Sequence, residues 1–148
     1  MSSIEERFTA AVHSTARGWR LALDRRLKHL GISQASWLAI AYAAKSGTEP
    51  LSQTRLATNV GVENPTMVAT IDRLVTAGYM LRTPSALDRR VKLVSLTPAG
   101  MAIYAKVKIE ADALRHEILC KLDRDQLRAA TELLESLQTM IEAPSTCQ

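Results

Sequence analysis

The stretch that decides the fold is SQTRLATNVGVENPTMVATIDRLVTAG, residues 52–78. Ser52 is a favourable N-cap for a short helix from about Gln53 to Asn59. Gly61 should end that helix, because glycine adopts a positive φ more easily than any other residue. These signals predict a short helix that stops in a tight turn.

The second half of the stretch predicts another helix. Asn64 followed by Pro65 is typical of an N-cap and a first helical residue, and Gly78 lies where a C-terminal cap is expected. The apolar residues that can face one another across the turn are Leu56, Ala57, Val60, Val62, Met67, Ile71 and Leu74. The side chains expected to point outward are Thr66, Thr70 and Arg73. The pattern favours a helix-turn-helix whose second helix reads DNA, with an ordinary pair of packed helices as the alternative.

A change of periodicity after Gly78 predicts a two-stranded hairpin, or wing. Two short apolar runs flank a polar break, in which Pro84 to Asp88 supply the turn. The hairpin should project basic side chains around its tip and sides, namely Arg82, Arg89, Arg90 and Lys92. Arginine there can neutralise phosphate or enter a narrow minor groove. A charged turn that keeps a sheet edge soluble is the alternative.

Apolar stripes predict four more helices outside this central stretch. They run from Ile4 to Leu30, from Ser33 to Gly47, from Pro98 to Leu122, and from an N-cap at Asp123 to about Ile141. The fold class is therefore mainly α with a small β-hairpin wing: a winged helix-turn-helix with about six helices.

The first, fifth and sixth helices carry more apolar surface than the central module can cover. Burial between two copies of the chain would cover it, and an obligate homodimer typically buries ~2,000 Å² or more. We therefore expect dimerisation helices from both termini, over residues 1–31 and 98–148, around a DNA-binding domain at residues 32–97. A monomeric bundle in which these helices cover one another is the alternative.

Composition narrows the class of protein. The 148 residues suit one compact domain or two small ones, and 19 Lys and Arg against 15 Asp and Glu give a net charge of +4, which fits nucleic-acid binding. No segment is typical of a membrane span or a signal peptide, so a cytoplasmic protein is expected. The polar end after Pro144 is expected to fray.

The sequence contains no pattern of a catalytic or metal site. Its two cysteines, Cys120 and Cys147, give neither a disulfide framework nor zinc spacing, and Cys120 lies in an apolar helical pattern that predicts a buried thiol. The three histidines are scattered, with no metalloprotease, phosphate-loop or nucleophile motif. We expect no enzymatic activity, no cofactor and no metal.

With these elements in order, the chain resembles the MarR family of winged-helix regulators from about Phe8 to Ile141. The most specific segments are LATNVGVENPTMVATIDRLVTAGYMLR (residues 56–82) and DRRVKLVSLTPAG (residues 88–100). RGWRLALDRRLKHLGISQASWLAI (residues 17–40) resembles the SlyA branch. The sequence departs at Ala69, where SlyA-like proteins often carry an arginine, so its base preference is expected to differ.

The resemblance implies a homodimer on pseudo-palindromic double-stranded DNA, with recognition helices in successive major grooves and Arg89 in the minor groove. Taken with the chemistry of the side chains, the candidate DNA contacts are Ser52, Gln53, Thr54, Asn64, Pro65, Thr66, Thr70, Arg73, Asp88, Arg89 and Arg90. An acidic neighbour can hold an arginine in one pose, so Asp88 is compatible with DNA binding.

Many members of the family respond to small aromatic anions in a crevice beside the dimerisation helices. The matching or nearby residues are Arg17, Trp19, Arg20 and Trp37, and arginine beside an aromatic wall suits an aromatic carboxylate. Alternatively, the tryptophans are core residues and the arginines pair with Asp24 or helix ends. Two other functions remain as alternatives: a redox-responsive regulator using Cys120, and a protein-interaction module without DNA binding.

Overall fold

A computed structural model describes residues 1–143, and within them the chain forms six α-helices and three short strands. Their bounds are α1 Ile4–Arg26, α2 Gln34–Lys45, β1 Leu51–Ser52, α3 Gln53–Val60, α4 Asn64–Thr76, β2 Met80–Pro84, β3 Lys92–Leu96, α5 Pro98–Leu119 and α6 Arg124–Glu142. The tail from Pro144, including Cys147, lies outside the described residues. The architecture confirms the predicted winged helix-turn-helix with six helices.

The first helix is shorter than predicted. It begins with a reciprocal cap, in which the Ser3 Oγ accepts from the Glu6 backbone N–H and the Glu6 carboxylate accepts from the Ser3 N–H. It ends at Arg26, and Lys28–Leu30 form a separate 3₁₀ turn before Gly31 (φ 68°). The apolar pattern continues into this turn because Leu27, between the two elements, is fully buried.

The turn of the helix-turn-helix forms as its capping residues predict. The Ser52 Oγ accepts a hydrogen bond from the Arg55 N–H at 3.1 Å, which caps α3. At the other end Gly61 has φ 81°, and the Ala57 carbonyl accepts from the N–H groups of Gly61 and Val62. A side chain at Gly61 would strain this left-handed conformation.

The start of α4 differs from the prediction by one residue. Glu63, in an extended conformation, is the N-cap and makes no side-chain capping bond, so Asn64 is the first helical residue. Pro65 fits at the second position because the first four N–H groups of a helix have no partner inside it. At the far end Gly78 (φ 83°) donates to the Val75 carbonyl and Tyr79 to the Leu74 carbonyl, as a glycine cap requires.

The predicted two-stranded hairpin is part of a three-stranded antiparallel sheet with the order β1-β3-β2. The third strand is β1, whose Leu51 pairs with Val94. Two residues are too few to show a strand periodicity, so the sequence alone does not indicate this strand. In the wing the pairing is regular from Met80 opposite Leu96 to Pro84 opposite Lys92. The connecting loop at residues 85–91 is longer than the predicted turn.

Residues 1–111 form one compact unit with the main core. Its largest fully buried side chains are Leu27, Ile40, Leu56, Val60, Met67, Thr70, Ile71, Met80 and Val94. Helix α2, which has buried residues on several sides, packs against α3 and α4. This core holds α4 and the sheet in a fixed relation.

Hydrogen bonds from Thr97 join the start of α5 to the turn that follows α4. The Thr97 Oγ1 donates to the Gly78 carbonyl at 2.6 Å and accepts from the Gly100 N–H at 3.0 Å, while the Thr97 N–H donates to the Tyr79 carbonyl. A Cβ atom on Gly100 would collide with the Tyr79 carbonyl oxygen. The start of α5 therefore lies directly against the turn that leads into β2.

A second unit begins at Asp112 and contains the end of α5 and α6. Asp123 caps α6 as predicted, its carboxylate accepting from the Gln126 N–H at 2.9 Å. Helix α5 ends at Leu119 instead of Leu122, which leaves Cys120 in the following turn. Cys120 is exposed there, so the prediction of a buried thiol is wrong. Among the described residues, no helix is long and apolar enough to cross a membrane.

Candidate nucleic-acid interface

The first turn of α4 presents short polar side chains to solvent. Asn64, Pro65 and Thr66 are exposed, and so is Ala69 one turn later. Met67 is fully buried beneath them and fixes which face of the helix points outward. Exposed side chains at the start of the second helix are what a helix-turn-helix uses to contact base edges.

Thr70 does not belong to this exposed face, and the prediction that it points outward is wrong. Its side chain is fully buried, and its Oγ1 donates to the Thr66 carbonyl at 2.9 Å. The spacing explains the burial, because Thr70 lies three residues after Met67 and four before Leu74, on the apolar stripe of α4. Thr70 is therefore removed from the candidate DNA contacts.

Arg73 is exposed as predicted, although it lies toward the C-terminal end of α4. Its Nη2 approaches the Thr70 Oγ1 at 3.4 Å. The side chain also lines a cavity of about 210 Å³ together with residues 31–33 at the start of α2. Arg73 is thus available at the surface, but on the side of α4 that faces the start of α2.

The start of α3 combines capping with exposed polar groups. The Ser52 hydroxyl is half-buried and used by the cap, whereas Thr54 is exposed. Gln53 is half-buried, and its Oε1 accepts a hydrogen bond from the Arg82 Nε at 3.0 Å. Of these three predicted contact residues, Thr54 alone is exposed.

Arg82 does not project from the wing, contrary to prediction. Its Nη2 lies 2.8 Å from the Asp72 carboxylate on α4 and 3.5 Å from the Val68 carbonyl oxygen. Neither Asp72 nor this bridging role was predicted. The sequence does contain a signal for it: Arg82 and the buried Met80 are two residues apart in a strand, so they share the face that packs on the helices.

The wing tip pairs one of its two arginines and leaves the other available. The Asp88 carboxylate accepts from the Arg90 backbone N–H, Nε and Nη2 at 3.0–3.3 Å. These hydrogen bonds lower the pKa of Asp88 below its ordinary value. Arg89 is exposed, and its side chain makes no hydrogen bond or ion pair with any residue between 1 and 143. The tip therefore presents Arg89 as an unpaired cation.

The predicted ligand residues are only partly brought together. Arg17 and Arg20 line a groove of about 430 Å³ beside α1, whose other lining residues are Val12, His13, Ala16, Leu21 and Gln34. Trp19 is half-buried and does not line it. Trp37 is buried, and its Nε1 donates to the Asp24 carboxylate at 3.0 Å. Trp37 is therefore a core residue, the alternative considered for it from the sequence.

Within residues 1–143, no group of three or more His, Cys, Asp or Glu side chains could hold a metal ion. The exposed features with functional character are instead the start of α4, the start of α3 and the wing tip. They all belong to the compact unit of residues 1–111.

The central part of the chain matches a known protein family. The model of the MarR family matches residues 32–92. The solved structure of transcriptional regulator PA3341 is 35% identical and superposes with a TM-score of 0.83, over 91% of this chain and 98% of that chain.

Two more distant structures share the fold. BldR from Sulfolobus solfataricus is 24% identical, with a TM-score of 0.77 over 95% of this chain and 98% of that one. MepR from S. aureus, solved in a DNA-binding conformation, is 16% identical, with a TM-score of 0.78 over 91% and 98%. From the family match on residues 32–92 and the 35% identity over nearly the full length, the chain belongs to the MarR family of DNA-binding, non-enzymatic transcriptional regulators.

Proposed function

We propose that the protein is a sequence-specific regulator that binds pseudo-palindromic double-stranded DNA as a homodimer. The carrying observation is that one compact unit presents both the exposed start of α4 and the unpaired Arg89. Each α4 would lie in a major groove, and each wing would place Arg89 in the adjacent minor groove, where the negative potential is concentrated.

Base reading is assigned to the first turns of α4. Asn64 and Thr66 can hydrogen-bond base edges, and Pro65 and Ala69 can contact a thymine methyl group. Ser52, Gln53 and Thr54 suit phosphate contacts at the start of α3. We also place the chain in the SlyA-like branch, because the segment at residues 17–40 resembles it. Ala69 stands where that branch often has an arginine, so we propose that the preferred DNA bases differ.

Unburied apolar surface supports the homodimer. Helix α6 carries apolar side chains at helical spacing, yet none of its residues is buried, and Leu133 and Ile141 are 57% and 73% exposed. Ile4 on α1 and Ile109 on α5 are also largely exposed. Pairing of two chains through residues 1–31 and the segment from 98 onward would bury this surface and leave residues 32–97 to bind DNA.

Two measurements test this proposal together. Light scattering of the free protein should give about twice the 16.3 kDa chain mass. Selection from random DNA should recover inverted repeats whose half-site centres are roughly 10 base pairs apart. A monomer, or a selected site with one half only, would contradict the symmetric assembly.

We also propose that a small aromatic carboxylate modulates binding from the groove beside α1. Arg17 and Arg20 both line that groove, and Arg20 Nη1 lies 3.4 Å from the Val60 carbonyl oxygen at the end of α3. A carboxylate bound by Arg20 would compete with this carbonyl, next to the turn between α3 and α4. A ligand in the groove would in this way change the position of α4, the helix assigned to base reading.

Calorimetric titration with benzoate tests the effector proposal. The wild type should bind benzoate and lose DNA affinity, and Arg17→Ala should weaken benzoate binding by about tenfold. Arg7→Ala, which removes an exposed arginine of α1 outside the groove, is the matched control and should leave binding unchanged. Equal benzoate affinity in all three proteins would contradict this effector site.

A further inference from the structure

Arg82 joins three elements of the proposed DNA-binding module through one guanidinium group. Its Nε donates to Gln53 Oε1 at the start of α3, and its Nη2 lies 2.8 Å from the Asp72 carboxylate on α4. Arg82 itself belongs to β2, the first strand of the wing. We refer to Gln53, Asp72 and Arg82 as the Arg82 bridge.

The sheet geometry explains why this arginine is directed inward. Met80 is fully buried and Leu81 is 54% exposed, so the two faces of β2 are clearly distinguished. Arg82 follows Met80 by two residues and therefore lies on the inner face. The side chain of Arg82 is only 25% exposed, which makes it far less available to DNA than Arg89 at the tip.

The bridge also fixes the orientation of the Gln53 amide. Arginine can only donate hydrogen bonds, so the amide oxygen of Gln53 must face Arg82. The NH₂ group is then directed away from Arg82 and remains available as a donor. A donor at the start of α3 is suited to a DNA phosphate oxygen.

We propose that Arg82 is a positioning residue for DNA recognition. It fixes α4 relative to the wing through Asp72, and it turns the Gln53 amide so that its NH₂ group meets phosphate. This assignment rests on the proposed function, because it describes how the same interface is held in its binding geometry. Arg82 acts through Asp72 and Gln53 and is not itself a groove contact.

The competing explanation is that Arg82 binds phosphate directly and Asp72 is incidental. The two explanations predict opposite effects for Asp72→Asn. If Arg82 simply binds phosphate, removing a nearby negative charge frees the arginine and strengthens binding to any DNA. If Arg82 positions α4, the same change loosens the reading helix and weakens binding to the specific site.

The first experiment measures Asp72→Asn and Arg82→Lys against the selected site and against unrelated DNA of equal length. Both variants should bind the selected site roughly three- to tenfold more weakly, as expected for residues coupled in one ion-pair network. Asp72→Asn should bind unrelated DNA as well as the wild type or better. Lysine keeps the charge but cannot bind Gln53 and Asp72 at the same time as the guanidinium group does, so Arg82→Lys should not bind like the wild type. Glu49→Gln, at an exposed loop acid, is the charge control and should leave the site preference unchanged.

A second pair of variants isolates the amide of Gln53. Gln53→Glu keeps an oxygen for Arg82 but removes the NH₂ donor and brings a negative charge toward phosphate. It should therefore bind DNA more weakly than Gln53→Ala, although its melting temperature should be equal or higher. If Gln53→Glu binds as tightly as the wild type, the orientation assigned to the amide is wrong.

These outcomes separate the bridge from the proposed function. If the wild type binds DNA and Arg89→Ala weakens binding, but Asp72→Asn or Arg82→Lys binds the selected site at least as tightly as the wild type, only the bridge proposal is overturned. If the wild type binds no DNA sequence, both proposals are overturned. Because the pair is partly exposed, the variants should melt within about 4 °C of the wild type.

Discussion

The tip and the base of the wing each contain an aspartate–arginine pair, and the two pairs have different consequences. At the tip, Asp88 and Arg90 are two residues apart, and the Arg90 side chain is 91% exposed. At the base, Arg82 pairs with Asp72 ten residues earlier, on a different element, and is 25% exposed. The tip pair shapes one loop, whereas the base pair fixes a strand against a helix.

This difference determines which arginine is available to DNA. At the base the cation is occupied on both sides, by Gln53 and Asp72. At the tip Asp88 binds Arg90 and leaves Arg89 without a partner among residues 1–143. The same hairpin thus contains Arg82, which holds the strand against two helices, and Arg89, whose guanidinium group is available to enter a minor groove.

The largest expected effect is a loss of stability at the base of the wing, where the start of α5 contacts the turn before β2. Gly100→Ala places a Cβ against the Tyr79 carbonyl oxygen, one residue before β2 begins. Backbone must shift to accommodate it, so we expect a loss of on the order of 3 kcal/mol in the free energy of unfolding. Urea denaturation followed by circular dichroism measures this.

Gly18→Ala is the matched control for Gly100→Ala. Gly18 lies inside α1, and a Cβ there meets no atom within 4 Å. The control should gain about 0.5–1 kcal/mol from helix propensity alone. Equal stability of the two variants would contradict the close packing of Gly100 on the Tyr79 carbonyl group.

The next effect concerns the free cation of the tip. Arg89→Ala should weaken DNA binding by about 1–3 kcal/mol at moderate salt, because it removes the cation assigned to the minor groove. Arg90→Ala should cost less, since the Arg90 guanidinium is already paired with Asp88. Fluorescence anisotropy with one labelled site measures both, and an equal loss for the two variants would remove the distinction between these arginines.

The smallest expected effect is the pH dependence of the tip. Arg90 lowers the pKa of Asp88, so the folded-state value lies below the unfolded one. The pairing is then complete above the ordinary aspartate pKa of about 4 and is lost only as pH falls through the lowered value. NMR titration of the Asp88 carboxyl should therefore give a midpoint below about 4 and no change from about pH 5 to pH 8. A midpoint above the ordinary value would contradict the pairing.

Features determined by neighbouring residues were predictable from the sequence. Ser52, Gly61 and Gly78 act at helix ends as their residue types indicate, and the six helices and the wing follow from apolar spacing. The missed strand β1 has two residues and exists only because Leu51 meets Val94, which is distant in sequence. Local patterns carry no information about such a pairing.

The candidate site was harder to predict than the fold. Thr70 looked like an exposed polar residue, although the apolar spacing of α4 places it inside. Arg82 looked like one of four wing cations, and only its contacts with Gln53 and Asp72 distinguish it from Arg89. Charge and residue type indicate what a side chain can bind, but packing decides whether it faces the solvent.

Hydroxyl-radical footprinting of the selected site tests the contrast between tip and base most directly, because the radical attacks sugars from the minor groove. The wild type should protect a symmetric pair of outer minor-groove segments. Arg89→Ala should lose those outer segments while retaining the central protection, whereas Arg82→Lys should need a higher protein concentration to reach the full wild-type pattern. Outer protection that persists in Arg89→Ala at saturating protein would contradict the assignment of Arg89 to the minor groove.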